Sequence, residues 1–175
     1  IKDRLGYLPE EKGLYKNMTA LDLIAYFGRL KGLPKKDARD RAAALMNRYG
    51  LAEWINTKCK ALSKGMGQKV QILATLIHDP ELVILDEPFS GLDPVNVETV
   101  REAVLALKRE GKTVIFSTHV MEQAEQICDA VVLINRGRVL LDGRIADVKH
   151  SGGRTVHLDY DGDGTVLRSL TGVER

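Results

Sequence analysis

Leu82-Val83-Ile84-Leu85 is an uninterrupted apolar run that ends on two adjacent acids, Asp86 and Glu87, and then Pro88. Apolar residues without alternation predict a strand buried on both faces, the habit of parallel sheets covered by helices. The C-terminal ends of such strands are where ligands bind in open α/β folds. Two neighbouring carboxylates are costly to desolvate there unless a cation or a substrate compensates. A nucleotide site divides the work naturally, with Asp86 holding Mg²⁺ and Glu87 polarising an attacking water. Taken alone, the run is equally compatible with a strand that ends at an acidic turn.

The surrounding pattern fixes the fold class. Leu5–Pro9 reads as a short strand running into a loop. Thr19 with Asp22 marks a helix start, and the helix runs through Leu21, Leu23, Ile24 and Phe27 to Gly32. Pro34 opens a second helix, through Ala38, Ala42, Leu45 and Met46 to Gly50. Residues 18–75 form a helical region. After residues 82–85 come a helix over 94–110, a strand over 113–117, a helix over 121–127 and a strand over 130–135. Strands alternating with helices predict a parallel, right-handed βαβ layout. Arg136-Gly137 turns into Arg138–Leu141 as an antiparallel hairpin at the sheet edge. Residues 1–150 are expected to be one domain. Ser151–Gly153 reads as a linker, and 151–175 as the start of a small accessory domain with a strand at 155–158.

Three further segments carry chemistry. Leu62-Ser63-Lys64-Gly65-Met66 precedes a helix with Val70, Leu73, Ala74 and Ile77 on one face. A Ser-x-Gly at a helix start offers free N–H groups and a hydroxyl to an anion, although taken alone a plain N-cap is the favoured reading. Ser90-Gly91-Leu92-Asp93 makes a turn after the carboxylate pair, and Pro94 opens the next helix. Ser117-Thr118-His119 ends the next buried strand, so His119 is expected to face the same crevice.

In this order the segments resemble the ATPase domain of ABC proteins, over about residues 1–145. The resemblance implies a P-loop NTPase-like α/β fold, a mostly parallel sheet with helices on both faces plus a helical subdomain. By it, Leu62–Met66 is the signature motif, Leu82–Asp86 the Walker B strand and Glu87 the catalytic glutamate. Ser90–Asp93 is the D-loop and His119 the switch histidine. Ser63, Lys64, Gly65, Met66, Asp93 and Glu10 are implied on the nucleotide, and Asp86 and Glu10 on Mg²⁺. The wording Gly6-Tyr7-Leu8-Pro9-Glu10-Glu11 looks most like the sodium-efflux (Nat-type) exporters. Implied partners are ATP, a second ATPase domain and a membrane-spanning permease, with the protein peripheral on the inner face of the cytoplasmic membrane.

This chain departs from the family pattern at four points. Glu10 stands where the Q-loop has glutamine. Lys64 stands where glycine is usual, and is expected to point to solvent. Met66 stands where glutamine is usual. No G-x-x-x-x-G-K-[ST] loop, the amide cradle for the phosphates, occurs in the 175 residues. The chain starts at Ile1 within a strand-like stretch, and reads as a piece lacking the Walker A portion and inactive by itself.

Other signals point away from rival functions. Net charge is +2 with 29% charged residues, which gives no support to a nucleic-acid partner. Cys59 and Cys128 lack metal spacing and read as buried thiols of a reducing compartment. Asp159–Gly164 matches half of a calcium loop, but Leu170 stands where the closing glutamate belongs, so an Asp/Gly-rich hairpin turn is the better reading. Trp54 is expected to pack within the helical region, and Lys35–Arg41 to be a solvated helix face. His78, His150 and His157 have no partners at metal spacing. Two alternatives stand beside a transporter ATPase: a non-transport ABC ATPase of translation or DNA repair, and a non-catalytic ABC-like module. The intact Asp86, Glu87, Asp93 and His119 weigh against the second.

Overall fold

The computed structural model describes residues 4–10, 13 and 15–151. Two compact units divide the chain, Ile1–Cys128 and Asp129–Arg175. This division falls inside the region expected to be one domain. The accessory segment, its strand at 155–158, the Asp159–Gly164 loop and His157 lie outside the described residues.

In the first unit, β1 (Leu5–Leu8), β2 (Leu82–Leu85) and β3 (Thr113–Phe116) form a parallel sheet with β2 in the centre. The register aligns Leu8, Leu85 and Phe116 across the sheet, so all three strands end level with one another. Val83 and Leu85 are fully buried, whereas their neighbours Leu82 and Ile84 are half-buried. The expectation of burial on both faces therefore holds on one face of β2. On the opposite row, Tyr7 and Ile115, the register partners of Ile84, are exposed. Among the described residues no element covers that row as fully as helices cover the other.

The helices begin where a side chain satisfies their free N–H groups. Before α1 (Ala20–Leu30), Thr19 Oγ1 accepts from Asp22 N–H at 3.1 Å and donates to the Asp22 carboxylate at 2.7 Å. Pro34 sits at the cap of α2 (Lys35–Arg48) rather than inside its first turn. Ser63 caps α3 (Lys64–Leu76), and Asp93 caps α4 (Pro94–Arg109). Gly32, Gly50 and Gly111 follow helix ends at positive φ, the conformation a C-terminal stop requires.

α3 is the hub of the core. Val70, Leu73 and Ile77, three of the apolar positions read from the sequence, are at most 1% exposed, and the fourth, Ala74, is also buried. They pack in one cluster with Leu23 and Ile24 of α1, Met46 of α2, Val83 and Leu85 of β2, and Val104 and Leu107 of α4. Burying each such side chain contributes about 1.5–3 kcal/mol. Trp54 does not join this cluster: it lies on a short 3₁₀ turn, Ala52–Trp54, and is exposed. Cys59 is buried and Cys128 is half-buried; neither forms a disulfide, and burial pushes the Cys59 thiol up. Much of the Lys35–Arg41 stretch is solvated as expected, with Arg39 paired to Asp22 at 2.6 Å. α5 (Met121–Ile127) closes the unit.

In the second unit β4 (Ala130–Asn135) pairs antiparallel with β5 (Arg138–Arg144), the hairpin expected from the sequence. Its cause is local. Arg136 at φ 48° and Gly137 at φ 72° form a two-residue turn of the kind that matches strand twist, and it sends the chain straight back. β5 also runs three residues beyond the expected end at Leu141 before α6 (Ile145–Ser151).

Leu73→Ala should cost about 2–5 kcal/mol of stability, because it empties fully buried volume in the hub helix. Urea unfolding followed by circular dichroism measures it. A cost near zero would mean that α3 is not the centre of the core.

Candidate active site

The level strand ends bring together residues that are far apart in sequence. The parallel ladder continues one residue past the strands: Asp86 N–H donates to Leu8 C=O at 2.8 Å, and Ser117 N–H to Leu85 C=O at 3.1 Å. Asp86 and Ser117 are thereby held side by side. Ser117 Oγ donates to Asp86 Oδ1 at 2.6 Å and accepts from Glu87 N–H at 2.9 Å. One hydroxyl thus orients the first carboxylate and the backbone of the second. Glu87 has φ 44°, in the left-handed region that a non-glycine residue adopts at a cost of about 1–3 kcal/mol. The Ser117 hydrogen bond is part of what holds it there.

His119 Nδ1 lies 2.9 Å from Glu87 Oε1. A carboxylate only accepts, so Nδ1 carries the proton whether the ring is neutral or charged. Glu87's side chain is mostly covered, at 18% exposure, whereas that of His119 is 77% exposed. The hydrogen bond to Glu87, then its charge, raises the His119 pKa above the ordinary value of 6.5, and the charge of Glu10 adds a smaller push. His119 thus interacts with Glu87 and, more weakly, with Glu10. Thr118 caps the turn instead: its Oγ1 accepts from Val120 N–H and donates to Gln123.

A second group surrounds the start of α3. Ser63 Oγ accepts from Met66 N–H at 3.2 Å, so the N-cap reading holds in this structure. Lys64 is exposed, but its ammonium is not free in solvent as expected: it donates to the carbonyl of Gly91. The turn Ser90–Asp93 passes close by, with Gly91 at φ 64°, a conformation that favours glycine. Asp93 Oδ1 accepts from Asn96 N–H at 3.0 Å, and the amide of Asn96 donates to Asp93 Oδ2. These two bonds hold the Asp93 carboxyl below its usual range. Asn96 Oδ1 in turn accepts from Gly65 N–H at 3.2 Å and from Ser63 Oγ at 3.3 Å. A cleft of about 510 Å³ opens beside this second group, lined by Glu10, Ser63, Lys64, Gln68 and Ser90 among others.

Two contributors escaped the sequence reading. Ser117 is the hinge of the carboxylate pair, yet its partner Asp86 is 31 residues away. Asn96 had a local signal, an Asp-x-x-Asn spacing at a helix start, but its bond to Gly65 spans 31 residues. Among the described residues, no three His, Cys, Asp or Glu side chains converge as a metal cage. Asp86 with the Ser117 hydroxyl suits a hard cation that keeps waters and takes phosphate oxygens, as Mg²⁺ does.

A family model described as ABC transporter matches residues 1–90. YhaQ of Bacillus subtilis (strain 168), an uncharacterised ABC transporter ATP-binding protein, is 43% identical over 164 residues. That match spans 92% of this chain and 55% of YhaQ. The ABC transporter ATP-binding protein NatA of the same strain is 41% identical over 172 residues, 98% of this chain and 70% of NatA. Among solved structures, cbiO1 from Clostridium perfringens, part of the ABC transporter complex cbiONQ, matches with a TM-score of 0.76 at 26% identity. It covers 85% of this chain and 60% of cbiO1. The chain thus spans little more than half the length of YhaQ.

The His119–Glu87 contact is testable directly. The fold favours protonated His119, so the pair is fully formed at pH below 6.5 and weakens as pH rises through the elevated value. An NMR titration of the imidazole should place His119 above 6.5, and Glu87→Gln should bring it down toward that figure. Titration at or below 6.5 in the unchanged chain would contradict the pairing.

Proposed function

We propose, from the premise that this chain belongs to the ABC transporter family, that it supplies the hydrolytic carboxylates for one ATP and the signature loop for another. The observation that carries this reading is the geometry at the end of β2: Asp86 and Glu87 bridged by Ser117, and His119 bonded to the Glu87 carboxylate.

Asp86, its carboxylate oriented by Ser117, would hold Mg²⁺ directly or through water. The metal supplies positive charge to the phosphate oxygens when bound. Glu87 takes a proton from the attacking water, acting as general base. His119 holds Glu87 in place before ATP arrives, and then turns its exposed ring to the γ-phosphate. Glu10, whose charge reaches His119, adds a carboxylate on the metal or its waters.

Ser63 and Gly65 lie at the N-terminal end of α3, where phosphate would take over N–H groups now held by Ser63 and Asn96, and where a hydroxyl and the helix dipole favour an anion. They meet ATP held by a second copy of the domain, packed head to tail, with Asp93 at the seam. ATP then clamps the two copies together, and hydrolysis lets them part. The phosphate cradle comes from sequence outside these 175 residues, so the chain by itself binds ATP weakly and does not hydrolyse it.

The membrane partner docks on the helical side. A largely apolar cleft of about 470 Å³, lined by Tyr7, Pro9, Phe27, Leu30 and His78 among others, suits a cytoplasmic segment of a permease. Among the described residues no helix is long and apolar enough to cross a membrane. On this reading the protein works from the inner face of the membrane through that partner, in export of sodium or a drug.

In the complete protein, Glu87→Gln should keep ATP binding and lower turnover by at least about 10²-fold, the usual contribution of a general base. Turnover near the original rate would show that Glu87 is not the base. Isothermal titration of the 175-residue chain with Mg-ATP should show only weak binding. Tight binding would refute the external cradle.

A further inference from the structure

We propose that Asn96 is a positioning residue, tying the Ser63–Gly65 loop to the Ser90–Asp93 turn within one protomer so that the two move together. The inference rests on the reading that Ser63 and Gly65 meet ATP held by a second copy.

The orientation of the Asn96 amide follows from its two neighbours. The Asp93 carboxylate only accepts, so the amide NH₂ must face Asp93. The Gly65 N–H only donates, so the amide oxygen must face Gly65, as it does at 3.2 Å. Both ends demand the same arrangement, and neither tolerates the flipped one. The side chain is therefore a polar link with one direction, from acidic turn to signature loop. The Ser63 hydroxyl joins it at 3.3 Å.

Packing reinforces the link. A Cβ added at Gly65 would lie 2.7 Å from Cβ of Asn96, an atom fixed to the α4 backbone. The helix start and α4 are thus in direct contact, and glycine at 65 is what permits it. Lys64 makes a second tie across the same gap, to the Gly91 carbonyl. Met66 N–H holds Ser63 to its own helix, but that bond carries nothing from the turn. Asn96 and Lys64 do. A displacement of the Asp93 turn at the seam between copies is passed to the Ser63 hydroxyl and the Gly65 amide, which Asn96 holds where phosphate would meet them.

The test uses the complete protein carrying Glu87→Gln, with and without Asn96→Ala. Three quantities are read: the ATP concentration for half-maximal dimer formation by light scattering, hydrogen exchange at the Gly65 amide, and ATP affinity of the dilute monomer. Asn96→Ala should raise the ATP requirement about three- to tenfold, the worth of one neutral hydrogen bond, and speed Gly65 exchange similarly. Monomer affinity should stay unchanged and the melting temperature should fall by only about 2–4 °C, whereas a general folding defect would lower both. Asn96→Asp should also speed exchange, by setting two carboxylates face to face, and adding Asp93→Asn should restore slow exchange by returning a donor between them. Unchanged exchange overturns the tie, and faster exchange with unchanged dimerisation overturns the positioning role. Easier dimerisation overturns it too, because Asn96 would then be competing with phosphate. If the unmutated complete protein fails to dimerise with ATP, the proposed function fails, while Gly65 exchange still decides the tie.

Discussion

The parallel pairing of β2 with β1 on one side and β3 on the other is the constraint on which the first unit depends. It makes Leu8, Leu85 and Phe116 neighbours and so delivers the next residues of three chain segments to one edge. A slip of one residue would turn every side chain of a strand to the opposite face. Val83 and Leu85 would leave the core, and Asp86 would leave Ser117. Core packing and site geometry are therefore set by the same ladder. The fully buried Val83 and Leu85 favour one register only, and that register is the one in which Ser117 can bridge the two acids.

The bridge explains how the adjacent carboxylates coexist. Asp86 receives a hydroxyl hydrogen and Glu87 a ring N–H, so each anion has a donor of its own. Around α3 the logic is similar, although the donors are reversed. There the free N–H groups of a helix start need acceptors, and Ser63 and Asn96 provide them. The carboxylate edge is rich in acceptors and the α3 edge in donors. ATP with a divalent cation has both kinds of partner to offer, which fits the family to which the chain belongs.

Much of this was legible in the sequence because the signals were local. Thr19, Ser63 and Asp93 each cap a helix within three residues, and a run such as Leu82–Leu85 needs no distant partner to be read as a strand. The apolar face of α3 followed from helical spacing alone. What failed to show depended on contacts across the chain. Ser117 and Asn96 act on residues more than two dozen positions away, and Lys64 looked solvated because Gly91 is brought to it only by the fold. Trp54 looked like a core residue by size, yet the 3₁₀ turn that carries it leaves it on the surface.

The central claim is that each ATP is served by two chains, Glu87 from one and Ser63 from the other. Mixing two disabled forms of the complete protein tests it most directly. Ser63→Arg and Glu87→Gln should each abolish hydrolysis alone, since every site then lacks one contribution. If the sites are shared head to tail, mixed dimers regain one intact site, and random mixing should restore about a quarter of the original ATPase rate. If Glu87 and Ser63 serve the same ATP from one chain, the mixture stays as inactive as its components, and the account is contradicted.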